Sequence, residues 1–482
     1  MTTLLAPVNP VNDTNTPVVA VLFTFPPPFD RVTVFDWLAT TLTPYVEFCA
    51  KTTPVAKSNE MESAAATASQ FLPSFNVTVS TDELDKYMPP GSALIGMGAG
   101  AGREPSTRKR RAPPQVAFVS AYPPDRGRLS EYSHALVAAV SERGVSVRVG
   151  SDSAAEADGN IEVVQLWRPD HLPSLVRVLG FVARARARAV VFNVSFTVFG
   201  KGRVINFLGF ADIFIASKLG RVMGFKTAAI VHNLPEASDT AKFGLGRTLV
   251  NRAGFLMAER MLFGCDVVAV TLRLYKRGME RRFGRPVFYL PHGAWKVPNP
   301  PLHPKPGKIL FLGFLSPGKD MALLRGVYDE LKARHQDFGL RMVVSPHPNI
   351  PDSDGSLKMF VGRAGVEVRG YATESELPGV FEGCTAVVLP YTTSTGTSGV
   401  LHLANSFGVP AVTTSLPEFR ELEAEGAGVV VCSGREEMVE SIARLVEDRE
   451  HWKKLSARAA AYSSKLGWDF VARRLLAMIG AA

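Results

Sequence analysis

From residue 115 onward, short apolar runs alternate with helix-patterned stretches, and this alternation constrains the fold more than any other feature of the 482 residues. Gln115–Ser120, Val145–Val149, Ile161–Leu166, Ala189–Asn193, Thr227–Val231 and Val267–Val270 read as strands. After Pro298, Pro300 and Pro301 the pattern restarts. Ile309–Leu312, Arg341–Ser345, Val366–Arg369, Ala386–Leu389, Ala411–Thr413 and Val429–Val431 are the second set of strands, with helices such as Met321–Arg334 and Glu436–Asp448 between them. The expected fold class is α/β, with two doubly wound, Rossmann-like domains over 114–298 and 299–465 and a closing helix over 466–482 that returns to the first domain. Ligands bind such sheets beyond the carboxyl ends of the strands, so two of them place the site in the cleft between them.

Residues 1–113 have a different texture. They hold Pro26-Pro27-Pro28, an Ala/Thr/Ser run from Ala64 to Ser69, the glycine-rich Gly96–Gly102 and the basic cluster Arg108–Arg111. Val18–Phe25 has strand character and Phe35–Phe48 helix character, without sustained alternation. The segment reads as a poorly ordered extension ending in a linker, or as a start assigned too far upstream. It lacks the basic-then-apolar order of a secretory signal, and no run of 18 apolar residues occurs anywhere.

Charge separates function classes further. The chain carries 54 Lys and Arg against 45 Asp and Glu, a formal net charge of +9. Residues 114–300 hold 25 of the basic and 14 of the acidic side chains, so the excess is local to the first domain. Apart from Arg184, Arg186, Arg188 and the Lys276–Arg285 stretch the cations are dispersed, which argues against nucleic acid as partner. Cys49, Cys265, Cys384 and Cys432 show no CxxC spacing, so neither a disulfide framework nor a zinc site is expected, and a reducing, cytoplasmic setting fits.

Four stretches carry candidate chemistry. In Thr393–Val412 a loop rich in Thr, Ser and Gly leads from a strand into a helix starting near Gly399. Hydroxyls and glycine at a helix N-terminus form an anion site, with Thr395, Thr397, Ser398, Gly399 and Val400 as its members; Ser398 fits an ordinary N-cap equally well. In Ile309–Lys319 a strand ends at Gly313, and Lys319 opens the next helix, placed to pair a diphosphate or simply to face solvent. In Ser120–Leu136, Gly127 lets backbone approach a ligand closely. His232 ends an apolar strand, either in the site or as a structural histidine. The Gly98–Gly102 run lacks a following helix, and Asp352-Ser353-Asp354 sits between turn residues, so both are set aside as dinucleotide and metal sites.

These stretches, in this order, resemble the GT-B glycosyltransferases, and most closely family 4, also labelled group 1. The matches are PPDRG at 123–127, VHN at 231–233, LPHG at 290–293, the Gly313 to Lys319 spacing and SGV with FGVPAV. Glu259 and Asp266 in ERMLFGCDVVAV, and Trp468 in the last helix, are further similarities. The resemblance implies a nucleotide-diphosphate sugar against the second domain and an acceptor against the first, with no cofactor and no required metal. Lys319 would pair the diphosphate, the N–H groups of Ser398, Gly399 and Val400 would hold the distal phosphate, Gly127 would approach the sugar and His232 would face its ring. Two departures stand out: Thr395 and Leu403 occupy the places of the family's paired glutamates, and Phe314 and Ser316 those of its second cation.

The expected function is therefore retaining transfer of a hexose from a UDP- or GDP-linked donor to a glycan or lipid-linked acceptor. The departures motivate an alternative, a non-catalytic nucleotide-sugar-binding scaffold or partner subunit. An epimerase reading needs acidic residues where Thr395 and Leu403 stand. The apolar Ile205–Phe225 stretch, interspersed with Asp212, Lys218 and Arg221, reads as a core helix or as an interfacial helix contacting anionic membrane.

Overall fold

A computed structural model describes residues 2–5, 22–25, 114–124, 128–152, 161–235, 248–295, 297, 307–346, 355–393 and 396–481. The chain divides into two compact units, Met1–Lys109 and Arg110–Ala482. In the first, strand β1 (Thr2–Leu5) pairs antiparallel with β2 (Leu22–Phe25), with Thr2 opposite Phe25. The stretch with helix character at 35–48 lies outside the described residues.

The second unit holds two parallel sheets. The first domain supplies β3 (Val116–Val119), β4 (Val147–Ser151), β5 (Glu162–Gln165), β6 (Ala189–Val194), β7 (Lys226–Val231), β8 (Val267–Val270) and β9 (Phe288–Tyr289) in the order 5-4-3-6-7-8-9. The second supplies β10 (Lys308–Phe314), β11 (Gly339–Ser345), β12 (Val366–Arg369), β13 (Ala386–Leu389), β14 (Ala411–Thr414) and β15 (Val429–Cys432) in the order 12-11-10-13-14-15. The helices are α1 (Arg128–Glu142), α2 (Val176–Ala185), α3 (Arg203–Met223), α4 (Leu249–Leu262), α5 (Arg273–Phe283), α6 (Met321–Arg334), α7 (Leu377–Phe381), α8 (Gly399–Ser406), α9 (Pro417–Ala424), α10 (Arg435–Glu447), α11 (Arg449–Ser464) and α12 (Trp468–Ile479). Two sheets of Rossmann-like topology in one compact unit make the GT-B architecture.

The strands read as continuous apolar runs because both faces are covered. Ala117, Val119, Val190, Phe192, Ala229 and Val231 point into one core layer, while Val116, Phe118, Val191, Ala228 and Ile230 point into another. Leu310, Val387 and Leu389 of the second sheet join the first of these layers, so one apolar layer runs continuously through both domains. Each fully buried Val, Ile or Phe contributes about 2–3 kcal/mol, which fixes the register of these short strands.

The short β9, whose Phe288 is exposed, carries too little pattern to be read from sequence. Helix α12 ends the chain on the first domain, where Asp469 pairs with Arg143 at 2.5 Å and Arg474 Nε donates to Tyr289 O at 2.8 Å. Helix α3 buries one face through Ile205, Gly209, Phe210, Ile213, Ala216 and Gly220, yet leaves Val204, Val222 and Met223 exposed. Among the described residues no helix is long and apolar enough to cross a membrane.

Candidate active site

In a doubly wound sheet a crevice opens where neighbouring strands lead to opposite faces. Here that happens between β3 and β6, and between β10 and β13. The candidate chemistry gathers at the carboxyl ends of these strands and of their neighbours.

On the first domain, Ser120 follows β3, Asn193 lies near the end of β6 and His232 follows β7. Ser133 reaches them from α1. Asn193 Nδ2 donates to Ser120 Oγ at 3.2 Å and to Ser133 Oγ at 2.9 Å, and the two serine oxygens are 2.6 Å apart. His232 Nε2 meets Asn193 Oδ1 at 2.6 Å. Tyr132 packs edge-on against the imidazole, with centroids 4.3 Å apart. Burial, and secondarily the nearby His292, pushes His232 down to about 3. It is therefore neutral at physiological pH, a hydrogen-bonding group and not a cation. Gly127 lies outside the described residues.

On the second domain, the strand expected to end at Gly313 runs one residue further, to Phe314; Gly313 has φ +116°, a conformation that glycine reaches without strain, and the chain turns out of the sheet just after it. Lys319 follows that turn and is half-buried. Its Nζ donates to Phe314 O and sits 5.1 Å from the Phe311 ring centroid and 5.5 Å from that of Tyr391. The loops after β10 and β13 are tied together by Thr392 N donating to Gly318 O at 2.9 Å and by a bridge between Lys319 and Tyr391. Phe314 and Ser316 put no second cation beside Lys319.

Helix α8 opens on the same side. Ser398 caps it, its Oγ accepting from Leu401 N at 3.3 Å. The first N–H groups of a helix have no acceptor within it, and those of Gly399 and Val400 find none elsewhere among the described residues. Positive charge thus concentrates at this end of the helix. Thr397 Oγ1 lies 3.1 Å from His402 Nε2, so this hydroxyl is engaged with the helix. Thr395 is outside the described residues, and Leu403 is buried in the core. Gly396, at φ +93°, brings the loop onto the other domain: a Cβ there would lie 2.2 Å from the His232 carbonyl oxygen. His232 and the helix terminus therefore belong to one site.

Sequence reading missed the aromatic and imidazole packing behind this site. His292 of LPHG is buried, donates Nδ1–H to Gly293 O at 2.7 Å and stacks on His402 with centroids 4.7 Å apart. Tyr132 and Trp468 also pack on it, at 5.1 and 5.6 Å. A Cβ on Gly399 would stand 3.3 Å from His292 Nε2, so this ring backs the helix terminus. The HG pair in LPHG was the one signal for it. Burial and His292 also hold His402 well below the usual histidine range. Asn193 and Tyr132 carried no signal, because only strand register brings the first, and the packing of α1 on the sheet the second, beside His232.

Glu259 and Asp266 stand apart from the strand ends. Asp266 Oδ2 accepts from Thr227 N at 2.8 Å and Thr227 Oγ1 at 3.0 Å, joining the starts of β7 and β8. Glu259 is buried, with Arg282 at 3.3 Å. No group of three or more His, Cys, Asp or Glu placed to hold a metal occurs among the described residues.

Comparison with known proteins shows what this arrangement is similar to. Residues 306–448 match the model described as glycosyl transferases group 1. No curated protein sequence matches the chain. Among solved structures, the chain resembles Anabaena Alr3699/HepE in complex with UDP and glucose, with TM-score 0.55 at 12% identity over 77% of this chain and 100% of that one. It also resembles WaaG, a glycosyltransferase involved in lipopolysaccharide biosynthesis, with TM-score 0.55 at 14% identity over 76% and 100%. A UDP-forming alpha,alpha-trehalose-phosphate synthase from Burkholderia vietnamiensis follows at TM-score 0.54, 11% identity, 76% and 98%. At these identities the likeness to solved structures is one of fold, while the family match rests on sequence in the second domain. Residues 306–448 thus match the group 1 glycosyltransferases in sequence, and the two-domain part of the chain shares the GT-B fold of these solved structures.

Proposed function

We propose that this glycosyltransferase moves a hexose from a UDP- or GDP-linked donor to a glycan or lipid-linked acceptor, with retention at the anomeric carbon. The observation that carries the donor side is the α8 terminus, where the Gly399 and Val400 N–H groups lack acceptors and His232 touches the same loop. The distal phosphate sits on those N–H groups, and Lys319 leaves the Phe314 carbonyl to pair the diphosphate. As the sugar–phosphate bond breaks, negative charge grows on the departing diphosphate; the helix terminus is fixed in advance to receive it, and Lys319 is within a side-chain movement of it. The acceptor attacks from the same face, deprotonated by the leaving phosphate oxygen, so no protein nucleophile is required. The neighbour HepE, observed with UDP and glucose and with UDP-glucose, supports a uridine donor as the first to try.

The acceptor side is argued from the first domain. Val204, Val222, Met223, Leu249, Val250 and Met257 are exposed on α3 and α4, interleaved with Lys201, Arg203, Arg221, Arg252 and Arg260. Apolar side chains among cations fit the interface of an anionic membrane, and with it a lipid-linked acceptor met at the inner face. Incubation with UDP- and GDP-sugars and such acceptors should release nucleotide and transfer label. Lys319→Ala should lower kcat by about 10²–10³-fold, the usual cost of losing one donor to the developing charge. Unchanged turnover in that variant would overturn the role of Lys319. Nucleotide binding without transfer across the whole panel would favour a binding subunit instead.

A further inference from the structure

The first-domain network admits one placement of its protons. Ser133 Oγ lies 2.6 Å from Leu129 O, and a carbonyl only accepts, so the Ser133 proton is committed there. Ser120 Oγ is 2.6 Å from Ser133 Oγ, so the proton between them belongs to Ser120. Both oxygens then face donors from Asn193 Nδ2, at 3.2 and 2.9 Å, and lie close enough together to share one of its hydrogens. Turning the amide over would set Asn193 Oδ1 against Ser133 Oγ and strip the proton from the contact between the serines. The amide oxygen must therefore face His232, and His232 Nε2, 2.6 Å away, must carry a hydrogen.

We infer that Asn193 is a positioning residue that holds His232 as the Nε2–H tautomer, leaving Nδ1 as an acceptor for a substrate hydroxyl. Ser120, Ser133 and Asn193 are all at most 1% exposed, so water does not compete for these bonds. His232 itself is half-buried, and its Nδ1 has no hydrogen-bond partner among the described residues. The buried polar atoms nearby that lack partners are Tyr132 OH, His402 Nδ1 and Trp468 Nε1, and His232 Nδ1 is not among them. A lone pair in that place repels a phosphate oxygen and accepts from an O–H. The network sits at the crevice between β3 and β6, where the strand order sends any ligand. The inference rests on the proposed transfer only in taking the hydroxyl to be one of the donor sugar; the tautomer follows from the protein alone.

The test labels the full chain with ¹⁵N-histidine and reads long-range proton–nitrogen correlations without substrate, assigning His232 by the signal lost in His232→Gln. A proton on Nε2 and an unprotonated Nδ1 are expected, and a proton on Nδ1 would overturn the inference whatever the enzyme turns over. Asn193→Ala should release the lock into a mixture of tautomers; persistence of the pure Nε2–H form would equally overturn the role of Asn193. With a turned-over donor in hand, one monodeoxy analogue should lose about tenfold in kcat/KM with the wild type. That penalty should shrink towards unity in Asn193→Ala, and an unchanged penalty would separate Asn193 from substrate recognition. Failure of every donor would sink the proposed transfer while leaving the tautomer result standing.

Discussion

Glu259 shows how one buried carboxyl sets a pH dependence. It has no exposed surface, and burial pushes it up to about 7 from 4.5 despite the Arg282 guanidinium 3.3 Å away. As pH rises past 4.5 the unfolded chain releases this proton first, while the folded chain keeps it until about 7. Stability from this group is therefore complete below pH 4.5 and lost as pH rises to about 7, by up to roughly 3 kcal/mol. Glu259→Gln should remove that slope, so its urea midpoint should gain on the wild type between pH 5 and pH 8. A gap that does not change with pH would refute the assignment. At this scale the sequence was informative where a residue lies at or near the end of a strand, as His232 and Gly313 do. It was silent on Asn193, because nothing local distinguishes an asparagine inside an apolar strand from one that orients a histidine 39 residues away.

At the scale of elements, the turn LPHG is built against the last helix. A Cβ on Gly293 would fall 2.2 Å from Trp468 Cδ2, and Ala294 N donates to Leu466 O at 2.8 Å. Gly293→Ala must push the indole off His292 and Tyr132, at an expected cost of about 1–3 kcal/mol. Urea unfolding followed by tryptophan fluorescence should show both the lower midpoint and an altered native spectrum. Unperturbed stability would mean that the turn yields more easily than this contact implies. Helix α8 was legible because Ser398 followed by an apolar run is a start signal that acts locally. Its relation to His292 was not, since the ring contact joins residues more than a hundred positions apart.

At the scale of the whole molecule, the two sheets are held across the cleft by charge and by apolar contact. Arg273 and Arg277 of α5 pair with Glu425, which follows α9, and with Glu421 of α9 at 2.7 and 2.9 Å, and Tyr371 OH donates to Glu131 Oε1 at 2.9 Å. The arginine side chains of these pairs are more than half exposed while the glutamates are largely buried, so the pairs set the register of the two domains more than they add stability. The basic excess of residues 114–300 remains on the first domain, beside the exposed apolar side chains of α3 and α4. Binding to anionic vesicles should therefore be measurable by sedimentation, weaken with added salt, and fall when Val222 and Met223 are changed to Ser. Equal partitioning to neutral vesicles would rule out the electrostatic part of that contact. The sequence by itself determined the α/β class with two Rossmann-like sheets and most strand positions, because burial on both faces demands unbroken apolar runs that the order of residues alone reveals. Tertiary structure alone decided which polar residues meet: Ser120, Ser133, Asn193 and His232 come from four separate elements. Parallel strand order, unlike apolar pattern, leaves no mark on neighbouring residues in the chain.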